Sequence, residues 1–340
     1  MILNVGIVTR KDKITIDYTK DNLMDKLKDF TYLPEQNARN KYDIEKDSMF
    51  WKLSEIQKFL KNTNFNKSYV KEISYRPFDD RFTYYSKNKG VVVVEPRYKT
   101  MKHILEIEGN IGLVTTRLLS TNSFKHALVT SEISDKCFVS NKGSESCYLF
   151  PLYIKENQGV FKDIKKENFK KNEKDNKDIF REFINTKYSK IFTPEEIFGY
   201  IYAVLYSNTY REKFVEFLKI DYPKIIFVNN VDTFLELSKL GTKLINSHLL
   251  KDNLKLNNSI GNHTGDYNRI VEKITYKEDT KELYYNSTCC FTNVAKEVYE
   301  YEIGSYQVLK SYLKYRKGKE LIINENKDEI EHLEKVIKVA

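Results

Sequence analysis

Short runs of alternating apolar and polar residues dominate the first half of the chain. The run KITIDY at 13 to 18 alternates like a half-buried strand, and residues 21 to 30 have helical spacing with Asp21 as the predicted cap. From 72 to 155 short strand-like runs follow, with one helix opened by Pro96. These runs are EISYRPF, RFTYYS, GVVVVE, IGLVTTR, HALVTSE, KCFVS and CYLFPLYI. The pattern predicts a strand-rich part over residues 1–155, with helical segments near its start.

Helical periodicity dominates the rest of the chain. Residues 156–190 are rich in Lys, Asn, Asp and Glu, which predicts a solvated linker or insertion with a marginal helix. Residues 193–219 give the clearest helix signal, because Thr193 and Glu196 form a capping box and Pro194 occupies the first helical position.

Further helices and a short strand pair complete this second part. We predict a break between two helices at SNT (207–209), a helix over 232–250 interrupted at Gly241, and strands in RIVEKITY and KELYYN. Helices over 305–317 and in the charged C-terminal end follow. The whole pattern predicts the α+β class, with a strand-rich part followed by a mainly helical part over residues 191–340.

Composition narrows the class of protein. At 340 residues and 41% hydrophobic, the chain can bury a substantial core. It has no apolar run of membrane-spanning length, and the segment MILNVGIVTRKDK is too short in apolar residues for a secretory signal, so we expect a cytoplasmic protein that does not enter a membrane. The four cysteines fit no CxxC pair and no zinc spacing, which predicts reduced thiols and no metal site.

Charge points towards a polyanionic partner. The net charge of +9 favours such a partner only weakly, because lysine is abundant throughout the chain. Arginine is scarcer and more informative, since its planar fork reads guanine edges and clamps phosphates. Of ten arginines, four fall within one short region: Arg76, Arg81, Arg97 and Arg117.

Several enzymatic signatures are missing. No proline is followed by another proline and no two glycines form a GxG, which argues against base methylation, nucleotide hydrolysis and nicotinamide chemistry in this chain. A metal-dependent nuclease needs only two or three carboxylates and a lysine, and Asp79 and Asp80 are its best candidates. No proline precedes an aspartate directly, and DxK occurs at 163–165 and 175–177, where a lysine-rich segment supplies it by chance.

Several long motifs carry a specific resemblance. They are NVGIVTRKDKITIDYTKDNL, YRPFDDRFTYY, EPRYKTMKHIL, NIGLVTTR, SDKCFVS, SCYLFPLYI, FTPEEIFGYIYAVLYSNTYREKFVEFLKIDYPKIIF and YEIGSYQVLKSYLKYRKGKEL. In this order, from Val5 to Leu321, they resemble the C-terminal specificity domain of single-polypeptide restriction-modification enzymes of type ISP and type IIG. The chain departs from that family at 9–12, where Thr-Arg-Lys-Asp replaces the usual Thr-Asn-Arg-Asp.

The resemblance implies a function without catalysis in this chain. Such a domain recognises a short double-stranded DNA sequence for an adenine methyltransferase and a nuclease, which lie in other domains or in a split partner chain. S-adenosylmethionine and Mg²⁺ are then cofactors of the complete enzyme. Two alternatives stay open: a stand-alone metal-dependent nuclease that uses Asp79 and Asp80, and a basic module that docks a protein partner.

The resemblance and the residue types together give candidate DNA contacts. Residues 115–142, rich in Thr, Ser, Asn, Lys and Arg between short strands, form the predicted base-reading surface. Its named candidates are Arg117, Lys125, His126, Ser134 and Lys136. Backbone or base contacts from the same face are predicted for Arg76, Arg81, Arg97 and Lys99, and a place near DNA or at a domain seam for Tyr306 and Gln307.

Each candidate also has a structural interpretation. An arginine beside an aspartate is at least as often an ion pair that fixes a hairpin, and His126 is equally compatible with an ordinary surface role. In SYRPFDDRFTYYS we therefore interpret Asp79 and Asp80 as partners that orient Arg76 and Arg81.

Overall fold

The computed structural model describes residues 4–63, 65–88, 92–155, 179–251, 256–324 and 327–340. The chain divides into two compact units. The first unit comprises Met1–Arg117 and Thr130–Asn176, and the second comprises Leu118–Val129 and Lys177–Ala340. The predicted linker falls mostly outside the described residues, which resume with a helix at Ile179.

The first unit combines helices with two sheets. Its helices are α1 (Asp12–Thr15), α2 (Lys20–Tyr32), α3 (Glu35–Tyr42), α4 (Leu53–Asn62) and α5 (Tyr98–Leu105), with a 3-10 turn at Lys67–Tyr69. The strands from Asn4 to Pro151 are β1 (Asn4–Val5), β2 (Ile16–Asp17), β3 (Val70–Arg76), β4 (Asp79–Tyr84), β5 (Gly112–Thr116), β6 (Ala127–Thr130), β7 (Ile133–Ser134) and β8 (Cys147–Pro151). The boundary between the units falls within β6.

Pairing within the first unit is mostly antiparallel. One sheet has the order β2-β4-β3-β7, in which only the β3–β7 pair is parallel. In the other sheet, β8 lies between β1 and β5 and is antiparallel to both. The helices α2, α3 and α4 bury a core around Leu27, Phe30 and Trp51.

Four local predictions in this unit are wrong. Thr19 caps α2 by accepting from the Asn22 amide, so Asp21 lies in the first turn. Within KITIDY, residues 13–15 form a helical turn and only Ile16 and Asp17 form a strand. The described part of GVVVVE forms a bend, and of its residues only Glu95 makes a β-bridge, to Val8. The run KCFVS forms a turn and a bend, in which the Phe138 amide donates to the Asp135 carbonyl.

The second unit is mainly helical, which confirms the predicted α+β class. Its helices are α6 (Ile179–Tyr188), α7 (Pro194–Tyr206), α8 (Asn208–Lys213), α9 (Val215–Ile220), α10 (Val231–His248), α11 (Lys296–Tyr299), α12 (Val308–Tyr315) and α13 (Glu329–Val339). Its short strands are β9 (His263–Thr264), β10 (Thr275–Lys277), β11 (Glu282–Tyr284), β12 (Cys290–Phe291), β13 (Glu302–Ile303), β14 (Tyr306–Gln307), β15 (Ile323–Asn324) and β16 (Lys327–Asp328). Four of them form an antiparallel sheet in the order β10-β11-β12-β9.

The helix α7 begins as its sequence predicts. The Thr193 hydroxyl accepts from the Glu196 amide at 3.1 Å, and the Glu196 carboxylate accepts from the Thr193 amide at 2.8 Å. The predicted break is also confirmed, because α7 ends at Tyr206 and Ser207 caps α8. In the part of the chain that the structure describes, no helix is both long enough and apolar enough to cross a membrane.

The helix α10 runs through Gly241, so the predicted interruption is wrong. Here the backbones of α7 and α10 touch: a Cβ on Gly241 would lie 1.8 Å from the Gly199 carbonyl oxygen. The Ser238 hydroxyl, one turn earlier, donates to the Glu196 carbonyl at 2.6 Å. Gly241 therefore serves close helix packing, which offsets the cost of about 1 kcal/mol of a glycine inside a helix.

Gly241→Ala should therefore destabilise the protein, although alanine favours an isolated helix. The added methyl forces the two helices apart, and such overpacking costs about 1–3 kcal/mol. Urea unfolding measures the change, with Gly143→Ala as the control because a Cβ at Gly143 meets nothing within 4 Å. A Gly241→Ala variant as stable as the wild type would contradict this packing.

Candidate functional site

Motifs that are far apart in the sequence meet in the first unit. The Ile7 amide donates to the Ser134 carbonyl at 2.8 Å, and the Lys136 amide donates to the Ile7 carbonyl at 2.9 Å. Gly6 is required at this crossing, since a Cβ would lie 2.4 Å from the Asp135 carbonyl group. The opening motif is thus fixed against the SDKCFVS motif by its backbone.

Asp12 links the opening motif to the β3–β4 hairpin. Its carboxylate accepts from the Thr9 hydroxyl and, at 2.8 Å, from the Tyr75 hydroxyl. Arg76 approaches the same carboxylate, with Nη2 3.8 Å from Asp12 Oδ2. The acid that ends Thr-Arg-Lys-Asp is therefore held by its own loop and by the hairpin.

Arg76 is buried and paired with a buried acid. Its Nη1 donates to Asp135 Oδ1 at 2.7 Å, and its guanidinium lies 3.7 Å from the centre of the Tyr75 ring. Burial raises the pKa of Asp135, and the positive charge of Arg76 opposes that rise. The Cys137 amide also donates to Asp135, at 2.8 Å, so the carboxylate is well satisfied. Sequence reasoning did not identify Asp135 or Asp12 as partners of Arg76.

Arg81 is buried on a neighbouring part of the hairpin. Its Nη2 donates to Asp79 Oδ2 at 2.7 Å, and its guanidinium lies near two rings, 4.2 Å from the centre of Tyr18 and 4.1 Å from that of Tyr75. Asp79 therefore orients Arg81, so this acid does partner an arginine of the hairpin, although we expected Asp79 beside Arg76 and Asp80 beside Arg81. Asp80 accepts from the Ser74 hydroxyl at 2.8 Å.

The two aspartates of the nuclease alternative are thus engaged with protein side chains. Among the described residues, no three His, Cys, Asp or Glu side chains are arranged to hold a metal ion.

The other candidates of the first unit differ in exposure. Lys99 and Arg117 are exposed, whereas Arg97 and Lys136 are half-buried. Ser134 is buried next to Ser74 in the β3–β7 register, and its hydroxyl has no hydrogen-bond partner among the described residues.

The remaining candidates lie in the second unit. Lys125 donates to Glu302 at 2.8 Å, and its carbonyl accepts from the Gly304 amide at 2.7 Å, so residues 118–129 are tied to the β13–β14 hairpin. His126 and Tyr306 are buried. Gln307 donates to the Tyr299 carbonyl at 2.7 Å. The structure brings Lys125 close to this hairpin, but it divides the predicted surface 115–142 between the two units.

Glu132 stands immediately before β7. Its amide donates to the Thr130 hydroxyl at 2.9 Å, which fixes the loop. Burial, together with the negative charges of Glu72 and Asp80, raises the pKa of Glu132 to about 7.

The fold is shared with solved chains in complexes with DNA or a DNA mimic. A nuclease-deletion mutant of the Type ISP enzyme LlaGI in complex with a DNA substrate mimic matches 99% of this chain at 19% identity and a TM-score of 0.64, over 31% of its own chain. The DrdV-DNA complex matches 99% at 17% identity and a TM-score of 0.67, over 34% of its own chain. The ATP-dependent Type ISP enzyme LlaBIII bound to DNA matches 99% at 15% identity and a TM-score of 0.63, over 22% of its own chain.

These likenesses show that the fold of this chain recurs as one part of each of these solved chains. The family model of the Type ISP C-terminal specificity domain matches residues 2–338, and the chain belongs to this family. It spans about a third or less of the solved chains. No curated protein matches it.

Replacing Arg76 should destabilise the protein strongly. Arg76→Ala leaves Asp135 as a buried charge without its partner, a change that costs about 3–5 kcal/mol. Lys13→Ala is the control, because it breaks an exposed ion pair with Asp43 and should cost no more than about 1 kcal/mol. Urea unfolding compares the two, and equal losses would rule out a central role for the Arg76–Asp135 pair.

Glu132 should make stability depend on pH. Its raised folded-state pKa means that the folded protein keeps a proton which the unfolded chain, with the ordinary value of 4.5, releases. This contribution to stability is fully present below pH 4.5 and is lost as pH rises through about 7. We expect the urea midpoint to fall from about pH 5 to about pH 8. It should fall less in Glu132→Gln than in Glu55→Gln, a control on the exposed face of α4.

Proposed function

We propose that this chain recognises a specific short sequence of double-stranded DNA, as the specificity domain of a restriction-modification enzyme. The observation that carries the proposal is the match of the Type ISP C-terminal specificity domain over residues 2–338. Support comes from the fold, which recurs in enzymes solved with DNA. The net charge of +9 also suits a polyanion.

The complete enzyme would divide the work between domains. This chain would select the target and carry out no chemical step. An adenine methyltransferase and a nuclease, in other parts of the same enzyme or in a partner chain, would use S-adenosylmethionine and Mg²⁺. The site of action would be the cytoplasm, where such an enzyme meets DNA.

Exposure separates direct contacts from supporting roles. Lys99 and Arg117 present cationic groups to solvent, and Arg97 and Lys136 do so in part. Arg76, Arg81, Ser134, His126 and Tyr306 are buried in the fold. We propose that the exposed and partly exposed residues contact DNA. The buried residues would hold in place the surfaces that contact DNA.

Binding to duplex DNA tests the proposal directly. The purified chain is titrated with a pool of random-sequence duplexes at several salt concentrations, and the bound duplexes are sequenced. Enrichment of one short sequence, with affinity that falls steeply as salt rises, is the expected result. Binding without enrichment, or no binding, would overturn target recognition. Plasmid incubated with the chain and Mg²⁺ should stay uncut.

Two exposed cations should act differently on the selected duplex. Lys99→Ala should weaken binding to all sequences alike and lower the slope of log K against log salt by about one. Arg117→Ala should relax the preference at one base pair, with a loss of about 1–3 kcal/mol of discrimination. Lys58→Ala, at an exposed lysine of α4, is the control and should leave both properties unchanged. If Arg117→Ala, like Lys99→Ala, weakened binding to all sequences alike, Arg117 would not be a base-reading residue.

A further inference from the structure

Two arginines from distant parts of the sequence converge on one carboxylate in the first unit. Arg97 Nη2 pairs with Glu95 Oε2, and Arg10 Nη2 lies 3.9 Å from Glu95 Oε1. Each carboxylate oxygen therefore faces its own guanidinium. Two guanidinium groups placed in this way can each bind one oxygen of the same anion.

The backbone holds this arrangement in place. Val8 and Glu95 exchange two hydrogen bonds, of 3.1 Å and 3.0 Å, which join the opening motif to the segment before α5. Arg10 and Arg97 both have positive φ, 65° and 50°, a conformation that residues other than glycine rarely adopt. Backbone of this kind persists where the surrounding structure enforces it, and it is frequent in ligand-binding clamps.

The cluster is open to solvent and its donors are not all used. The side chains of Arg10, Glu95 and Arg97 are 50%, 30% and 28% exposed. The Nε of Arg97 is itself buried and has no hydrogen-bond partner among the described residues, whereas the side chain as a whole is partly exposed. Arg10 also lies over the Phe50 ring, 5.5 Å from its centre.

The local charge favours an anion. Lys11 and Lys99 stand next to the two arginines in the sequence, so the segments 10–12 and 95–99 together hold four basic residues and two acids, Glu95 and Asp12. The neighbouring acid Asp12 already accepts from Thr9 and Tyr75. The two segments therefore carry more positive than negative charge.

We propose that Arg10 and Arg97 together bind one backbone phosphate of DNA, and that Glu95 occupies the place of this phosphate when no DNA is bound. The inference rests on the proposed function. A phosphodiester carries the same single charge as a carboxylate and also presents two oxygens to the guanidinium forks. The incoming phosphate exchanges with Glu95, so the carboxylate limits affinity for any sequence.

Salt titrations of DNA binding test the shared phosphate. Each phosphate contact with duplex DNA contributes about 0.9 to the slope of log K against log salt. Arg10→Ala, Arg97→Ala and the double variant should all lose the same slope of about one, because they lose the same contact. Lys58→Ala should keep the wild-type slope. A double variant that loses about two, or single variants that lose nothing, would overturn the shared site.

Glu95→Gln tests the competing carboxylate. It keeps the shape of the side chain but removes the charge, so DNA binding should become up to about fivefold tighter, the equivalent of an exposed ion pair. If Glu95 served to orient Arg97, Glu95→Gln would instead weaken binding, and the competitor role would be wrong. Arg97→Lys, which keeps the charge and loses the fork, should bind less tightly than wild type while its slope is retained.

The controls separate this inference from the function on which it rests. Urea unfolding of every variant confirms that the fold is intact before DNA is added. A wild-type chain that does not bind DNA overturns the proposed function and the inference together. Wild-type binding with unchanged slopes and affinities in all the Arg10, Arg97 and Glu95 variants overturns the inference alone.

Discussion

The buried ion pair between Arg76 and Asp135 is the interaction on which the first unit depends. Neither charge can stay in the interior alone, because the desolvation of an unpaired ion costs several kcal/mol. Asp135 comes from the turn after β7 and Arg76 from the end of β3, so the pair forms only when these strands lie side by side. Asp12 extends the network to the opening motif. The need to pair these two buried charges thus fixes the register of a sheet that has short strands.

The second unit uses the same device at its C-terminal end. Glu329, at the start of α13, accepts from Arg316 at 2.8 Å and from the Tyr312 hydroxyl at 2.9 Å, and all three side chains are buried. The Arg316 charge and nearby Lys327 hold the pKa of Glu329 below its ordinary value, against the effect of burial. The strands of this unit are only two or three residues long. Because neither buried charge can be left without its partner, the Arg316–Glu329 pair specifies how α12 and α13 pack together.

Local signals predicted local structure, and long-range contacts accounted for the errors. The start of α7 was predictable because Thr193, Pro194 and Glu196 act within one turn. Gly241 looked like a break because the sequence does not show that α7 approaches it. In the site, closeness in sequence suggested the pairs Arg76–Asp79 and Asp80–Arg81, but Arg81 pairs with Asp79 and Arg76 pairs with Asp135, 59 residues away. Composition could not reveal that pair, since burial and register arise only from the fold.

The distribution of arginine shows why residue type alone does not identify a DNA contact. Arg76, Arg81 and Arg316 are buried, each paired with an acid and stacked on a tyrosine ring. The planar guanidinium suits these interior sites for the same reasons that it suits phosphates and bases. Arg10 and Arg117 instead reach solvent. In a specificity domain this division separates the exposed arginines, which can reach DNA, from the buried pairs, which hold the fold.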